Sequence, residues 1–205
     1  MTNSVYEIVG GWTQAVGNII AATASTVQAK NKQVNIRNEM IIGQSFQAIG
    51  NLIQASGKAI EEDLANRFTR VSISGNIIGA SGNTLIVSEE LKNVPTNILD
   101  ENMLFLGNAL QSLGAYIEMN VIKAQEAITL SERLNIKGNA LQSVGALLQA
   151  IVYIRDFEIN DPFIAVLGSW IQASGAVLSA IASGFPVQLD ESSHENFSTS
   201  HLKTN

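Results

Sequence analysis

Few residues in this sequence could perform acid–base or metal chemistry, and they are poorly placed for it. The two histidines, His194 and His201, lie seven residues apart near the C-terminus. The chain has no cysteine, so it can form neither a thiolate nucleophile nor a cysteine-ligated metal site. Two histidines in a polar segment amount to a chance pair or a weak metal contact. We therefore predict no catalytic residue, no cofactor-binding site and no metal site.

The other candidate motifs have simpler explanations. The acidic runs Glu61–Asp63 and Glu89–Glu90 fall at expected helix ends, where carboxylates are solvated. The segment GNIIGASGNT, Gly75 to Thr84, is rich in glycine but lacks the Gly-Lys-Ser/Thr ending of a phosphate-binding loop. The helical Glu-x-x-His motif of a di-iron bundle is also missing. These observations predict a protein that is not an enzyme, with no small-molecule substrate.

Charge and the N-terminal segment limit the partners and the location. The net charge is −6, so no basic surface is available for binding nucleic acid through counterion release. The segment MTNSVYEIVGG has no basic region before an apolar stretch, unlike a secretory signal peptide. We expect a cytoplasmic protein that does not bind nucleic acid.

An eight-residue unit recurs six times along the chain. It reads Gly, small polar, any residue, apolar, Gln, small, any residue, Gly, and its second glycines are 33, 32, 32, 31 and 30 residues apart. The copies are GGWTQAVG, GQSFQAIG, GNIIGASG, GNALQSLG, GNALQSVG and GSWIQASG, and they end at Gly17, Gly50, Gly82, Gly114, Gly145 and Gly175. The two glycines of each unit are seven residues apart, a spacing that is typical of a helix face.

Thirteen of the sixteen glycines share one heptad position, position e when Leu141 is placed at a. Each costs about 1 kcal/mol relative to alanine inside a helix, on the order of 10 kcal/mol in total. Close approach of a neighbouring backbone would offset that cost. The predicted helix-packing glycines are Gly10, Gly17, Gly43, Gly50, Gly57, Gly75, Gly82, Gly107, Gly114, Gly138, Gly145, Gly168 and Gly175.

The repeat predicts an all-α fold of six helices, one for each copy, in an antiparallel bundle. An α-solenoid of helical hairpins is the alternative. The bundle would occupy residues 1–186, and residues 187–205 would form a disordered polar tail. The helices are expected at about 5–29, 39–66, 67–92, 101–129, 132–158 and 162–184, with Ser131 or Asn135 as the N-cap of the fifth. Trp12 and Trp170 share position g in the first and last copies, which suggests that helices one and six meet.

Helix-start signals accompany four of these elements. Ser4 with Glu7 matches a capping box, Asp100 can cap the fourth helix, Ser131 or Asn135 can cap the fifth, and Asp161 with Pro162 starts the sixth.

The heptad lettering also divides each helix into two faces. The apolar face at a and d predicts this core: Val16, Ile20, Phe46, Ile49, Ile53, Ile78, Leu85, Leu110, Leu113, Ile117, Leu141, Val144, Leu148, Ile151, Leu167, Ile171, Leu178 and Ile181. Position b forms a candidate interaction face, predicted on the outside: Gln14, Gln47, Gln54, Gln111, Gln142, Gln149 and Gln172. Position f adds Asn18, Asn51, Asn76, Asn83, Asn108 and Asn139.

Each helix has a charge-free centre, and the charges gather at the helix ends. A neutral belt of about 18 residues is about 27 Å tall at 1.5 Å per residue, close to the hydrocarbon thickness of a bilayer. The main hypothesis is a structural protein that assembles with itself as a homo-oligomer through the glycine-rich, charge-free faces. A membrane-inserting or pore-forming protein is the alternative, and a plain soluble bundle also remains open.

The paired glycines of GNALQSLG and GNALQSVG resemble those of a group of uncharacterised repetitive proteins from Gram-positive spore-forming bacteria. The resemblance covers Val9 to Ile181, and the third copy departs from it with Gly79 in place of glutamine. It implies a bacterial source and helical repeats, without an activity or site residues. Glycine-zipper membrane proteins are a looser analogy, since their small residues usually recur at every fourth position.

Overall fold

The computed structural model describes residues 4–92, 99–125, 128–154 and 162–184. These residues form six helices and no strand, and each repeat supplies one helix. The helices are α1 Val5–Lys30, α2 Arg37–Glu61, α3 Arg67–Glu90, α4 Glu101–Lys123, α5 Leu130–Ile151 and α6 Pro162–Gly184. The predicted six-helix antiparallel bundle is confirmed. Because one repeat forms one long helix, the solenoid of short hairpins does not form.

Local side chains set the helix starts. Ser4 Oγ accepts a hydrogen bond from the Glu7 backbone N–H at 3.4 Å, and Asp100 Oδ1 accepts one from Asn102 N–H at 3.0 Å, as the sequence predicts. The fifth helix differs from the prediction. It starts after Thr129, which forms a reciprocal capping box with Glu132, rather than at Ser131 or Asn135.

Three helix ends come earlier than expected, and the fourth helix stops at Lys123 rather than near Thr129. The second helix stops at Glu61 because a turn follows it and Asn66 then caps α3, its Oδ1 accepting from Phe68 N–H at 2.9 Å. The fifth ends at Ile151. The predicted cap Asp161 and the predicted tail, residues 187–205, lie outside the described residues.

The six helices form a closed ring in which each packs against its two neighbours in the chain, and α6 packs against α1. Polar side chains form hydrogen bonds across the α1–α6 contact that closes the ring. Trp170 Nε1 donates to Thr26 Oγ1 at 2.9 Å, and Ser169 Oγ donates to Ser25 Oγ at 3.4 Å. The expectation that helices one and six meet is therefore confirmed.

Glycines bring the helices together in three antiparallel hairpins, α1–α2, α3–α4 and α5–α6. A Cβ built on Gly17 would lie 2.5 Å from the carbonyl oxygen of Gly43, and one built on Gly43 would lie 2.9 Å from that of Gly17. Twelve of the thirteen predicted glycines form such reciprocal pairs: Gly10–Gly50, Gly17–Gly43, Gly75–Gly114, Gly82–Gly107, Gly138–Gly175 and Gly145–Gly168. The remaining one, Gly57, faces the Tyr6 side chain. The two backbones of each hairpin are too close for any side chain.

The buried apolar residues are mostly small. Within the described ranges, thirteen of the eighteen are alanine, and only Ile36, Ile86, Leu104, Val121 and Ile122 are larger. None of the eighteen predicted core residues is fully buried: ten are half-buried and eight are exposed, among them Phe46 at 40%, Ile49 at 49% and Val144 at 51%. Large side chains cannot enter helix contacts that close only over glycine and alanine, so they point outward.

Neighbouring glycines provide a matched test of the close approach. A Cβ at Gly10 would lie 2.7 Å from both Gly50 O and Gln54 Cγ, whereas one at Gly11 would lie 3.4 Å from its nearest neighbour, Ala180 Cα. We expect Gly10→Ala to lower the free energy of unfolding by about 1–3 kcal/mol through overpacking. Gly11→Ala should leave it unchanged or raise it by up to about 1 kcal/mol, because alanine favours the helix.

The measurement is denaturant unfolding followed by circular dichroism. Equal effects of the two substitutions would contradict the close approach at Gly10.

Candidate functional site: a polar axis inside an apolar ring

The glutamines predicted on the outer surface lie inside the ring. Six of the seven line one cavity on the bundle axis: Gln14, Gln47, Gln54, Gln111, Gln142 and Gln172. Gln149 lines a second cavity beside it. The asparagines of position f are inside as well, since Asn18, Asn51, Asn76, Asn83, Asn108 and Asn139 are all buried. The expectation of an exposed amide face is wrong, because these residues share a side with the glycines that pack helix against helix.

A chain of amide hydrogen bonds crosses the axis and joins four helices. Gln149 on α5 donates to Gln172 Oε1 on α6 at 2.5 Å, and Gln172 donates to Gln111 Oε1 on α4 at 2.7 Å. Gln111 in turn donates to Gln44 Oε1 on α2 at 3.1 Å. Each amide can donate and accept at once, so the four residues satisfy one another without charge. We call Gln44, Gln111, Gln149 and Gln172 the amide layer.

A buried ion pair lies toward the other end of the axis. Lys58 Nζ on α2 contacts Glu118 Oε2 on α4 at 2.8 Å and Glu7 Oε1 on α1 at 3.4 Å, and it donates to Ser72 Oγ on α3 at 2.6 Å. Ser72 and Asn76 also donate to Glu118, at 2.8 and 3.2 Å. Hydrogen bonds from α2 and α3 therefore hold the carboxylate of Glu118 in a fixed position.

Burial and charge act in opposite directions on this pair. Burial alone lowers the pKa of Lys58, but the carboxylates of Glu118 and Glu7 outweigh it and raise that pKa above its ordinary value. Burial raises the pKa of Glu118, against the opposing effect of Lys58. Lys58 is therefore held as a cation whose charge is matched inside the ring.

The axis is closed rather than open. The cavity that the amides line has a free volume of about 40 Å³. A second cavity of about 310 Å³ lies on the other side of the amide layer, lined by residues that include Gln28, Lys32 and Tyr153. Burial, with smaller contributions from Glu90 and Glu101, raises the pKa of Tyr153 to about 12. Tyr153 therefore stays neutral near pH 7.

The outer surface of the ring is apolar between the helix ends. Its exposed side chains include Val9, Trp12, Val16, Ile19, Ile42, Phe46, Ile49, Leu52, Val71, Ile77, Leu106, Leu113, Tyr116, Leu141, Val144, Leu147, Leu167, Trp170 and Ile181. We call this surface the apolar belt. Soluble monomers seldom expose contiguous apolar patches beyond a few hundred Å², and this belt includes residues of all six helices.

Most of the exposed serine and threonine hydroxyls within the belt donate hydrogen bonds to their own helices. Thr13 Oγ1 donates to Val9 O at 2.7 Å, Thr23 Oγ1 to Ile19 O at 2.8 Å, and Ser56 Oγ to Leu52 O at 2.8 Å. On α3, Ser74, Ser81, Thr84 and Ser88 do the same. These side chains need no water to satisfy their donors.

A family model matches residues 5–180, a span that takes in all six glycine repeats. The chain belongs to DUF6944, a family of unknown function. No curated protein and no solved structure matches the chain.

Two further properties of the described residues bear on chemistry and location. They contain no group of three or more His, Asp or Glu side chains that could hold a metal ion, and His194 and His201 lie outside them. One helix in them, Pro162–Gly184, is long and apolar enough to cross a membrane, with a mean hydropathy of 1.6. This is weak evidence for membrane association, because core helices of soluble proteins pass the same test.

The ion pair yields a test of the polar interior. Its side chains are 13% and 11% exposed, so Lys58→Met leaves the buried carboxylate of Glu118 unmatched and should cost about 3–5 kcal/mol of unfolding free energy. Glu118→Leu should cost less, because Glu7 stays 3.4 Å from Lys58 Nζ. The double variant should recover most of that loss, because it buries no charged partner of the pair.

Denaturant unfolding of the wild type and the three variants completes the cycle. Additive losses in the double variant would mean that the two residues do not interact.

Proposed function

We propose that this chain is a non-enzymatic membrane protein, a helical ring inserted in a lipid bilayer. The supporting observation is the inverted distribution of side chains, in which the amides are buried around the axis and the large apolar residues form the apolar belt. In water this arrangement would expose the large apolar side chains, which the hydrophobic effect normally buries. In a bilayer the belt contacts acyl chains, and every polar group that faces the axis is kept from lipid.

The dimensions of the belt support the proposal. The charge-free segments are residues 8–29, 40–57, 71–88, 102–117, 138–154 and 162–184, and about 18 residues span about 27 Å at 1.5 Å per residue. That height matches a hydrocarbon core of about 30 Å. Lys58 and Glu118 each lie one residue beyond the charge-free segments of α2 and α4, near the expected lipid–water boundary.

Hydropathy averaged over a whole helix underestimates how apolar the lipid-facing side is. Only α6 passes that criterion among the described helices, because the others carry several amides. In a closed ring those amides face the axis, so they do not count against insertion. When the six helices insert together, their amides face the axis and not the lipid, whereas a helix that inserted alone would expose its amides to lipid. On α3 the exposed hydroxyls of Ser74, Ser81, Thr84 and Ser88 donate to backbone carbonyls of their own helix, so these polar groups also do not count against contact with lipid.

The packing of the interior also suits a bilayer. Helices in lipid associate through close van der Waals contact of small residues, since burying apolar surface gives no advantage over contact with lipid tails. The reciprocal glycine pairs and the buried alanines provide that kind of contact along every hairpin. We infer that this glycine zipper at heptad spacing is shared across the family, as the resemblance to repetitive proteins of spore-forming bacteria implies.

Self-assembly is the second proposal, and the structure changes which surface would carry it. The glycine and glutamine faces are used within the chain, so a homo-oligomer must form through the apolar belt. The outer face of α3 favours this, because Ser74, Ser81 and Ser88 repeat at the heptad spacing of the packing glycines and all three are exposed. Without a membrane, copies of the chain would cover one another's belts in the cytoplasm.

Vesicle flotation tests the membrane proposal. The protein, purified in detergent and mixed with phosphatidylcholine during detergent removal, should float with the vesicles and stay bound through a carbonate wash at pH 11. Recovery in the unfloated fraction as a detergent-free monomer would contradict insertion. Recovery there as a large detergent-free particle would instead support self-assembly in water.

A pair of arginine substitutions locates the lipid contact. Ile49 is 49% exposed in the middle of α2, and Ile49→Arg should reduce the floated fraction severalfold, since arginine costs about 2.5–3.5 kcal/mol at the centre of a membrane helix. Gln33→Arg, in the exposed connection between α1 and α2, adds the same charge outside the belt and should float like the wild type. Equal flotation of both variants would contradict lipid contact at Ile49.

A further inference from the structure

One amide oxygen in the axis lacks a partner. Asn83 on α3 is 1% exposed, and its Oδ1 accepts no hydrogen bond from any residue that the structure describes. An unsatisfied buried acceptor costs about 1–3 kcal/mol, and such groups are rare in folded proteins. A neighbour with an N–H or O–H group is therefore expected at this position.

The axial cavity offers room for that neighbour. Asn83 lines it together with Gln14, Gln47, Gln111, Gln142 and Gln172, so each helix of the ring contributes an amide. A buried water needs about 10–15 Å³ of such volume and two to four polar partners. The free volume of about 40 Å³ therefore accommodates about three waters.

Two polar closures bound this space along the axis. On one side is the amide layer, with the hydrogen bond from Gln172 to Gln111 at 2.7 Å in its middle. On the other side, Lys58 and Glu118 meet at 2.8 Å. Both closures consist of hydrogen bonds between side chains, without a large apolar plug.

We propose that the bundle axis holds a chamber of ordered water centred on Asn83, which the amide layer closes at one side and the Lys58–Glu118 pair at the other. The chamber follows from the fold and does not depend on membrane insertion. If the ring spans a bilayer, as proposed above, the chamber is the closed middle of an aqueous path. Opening the amide layer would then connect it to the 310 Å³ cavity beyond.

The chemistry of the lining favours water over a cation. Hard cations are held by several oxygen ligands, usually including carboxylates. The side chains around Asn83 are neutral amides that donate as well as accept, and Glu118 is already engaged with Lys58, Ser72 and Asn76. Water matches a mixed set of donors and acceptors, and so do small neutral solutes if they fit.

Nuclear magnetic resonance detects the chamber directly. In detergent-solubilised protein labelled with ¹⁵N at asparagine and glutamine, cross-relaxation with water should reach the side-chain amides of Asn83, Gln47 and Gln111. Asn83→Leu, of similar size, should abolish it at the two glutamines while the backbone spectrum stays folded. Absence of water contacts at all three amides in the wild type would overturn the proposal.

Osmotic shrinkage of vesicles tests the closure by the amide layer. In preparations whose insertion flotation has established, Gln172→Ala should raise water permeability at least threefold over the wild type, and Gln33→Ala should not change it. Gln111→Ala is the second variant if Gln172→Ala does not fold. Unchanged water permeability in a folded, inserted variant would overturn the closure by the amide layer. Failure of the wild type to float would contradict the membrane proposal only, and the chamber would then be tested by nuclear magnetic resonance alone.

Discussion

Close contact between backbones at the glycine pairs is the constraint on which the rest of the structure depends. A Cβ at Gly145 would lie 2.5 Å from both Gly168 O and Gln172 N, so the two helices of that hairpin meet with no side chain between them. Helices this close leave no space for leucine or phenylalanine in the contact. Alanine fills the remaining buried positions, and the large apolar residues must lie on the far side of each helix.

The polar axis follows from the same geometry. Because an α-helix turns about 100° per residue, heptad positions e, b and f lie within one arc of about 100°. The glycines occupy e, so the glutamines at b and the asparagines at f are carried into the interior with them. Closing the ring through α1 and α6 then encloses amides from all six helices, and those of α2, α4, α5 and α6 hydrogen-bond to one another across the axis.

The sequence correctly predicts the number and order of the helices, but it does not correctly predict which side of each helix faces the inside of the bundle. The repeat predicts six antiparallel helices, Ser4 and Asp100 mark two of the starts, and the tryptophans suggest how the ring closes. The predicted core is wrong where leucine and isoleucine point outward, the reverse of their usual direction in a protein surrounded by water. Leu147 instead lies opposite Gly138 and Gly145 on the same helix, and Leu141 and Val144 flank those glycines at 38% and 51% exposure. A face that carries glycine at every seventh residue has to be the contact face, and that signal was present in the sequence. The ion pair was harder to find, since Lys58 and Glu118 are 60 residues apart and meet only through the ring.

The ring is assembled from three hairpins, each held together by two glycine pairs, so its circumference depends on the number of hairpins. Every hairpin presents similar small-residue edges to its neighbours, so the seam between hairpins does not by itself fix how many of them close a ring. With three, the circumference is just large enough for one layer of amides to meet across the centre. Duplication of a hairpin-sized stretch of gene would enlarge the circumference without new contacts, and the amides could no longer reach one another. The bore of such a ring is therefore set by the count of repeats, a property that unequal recombination can change in a single step.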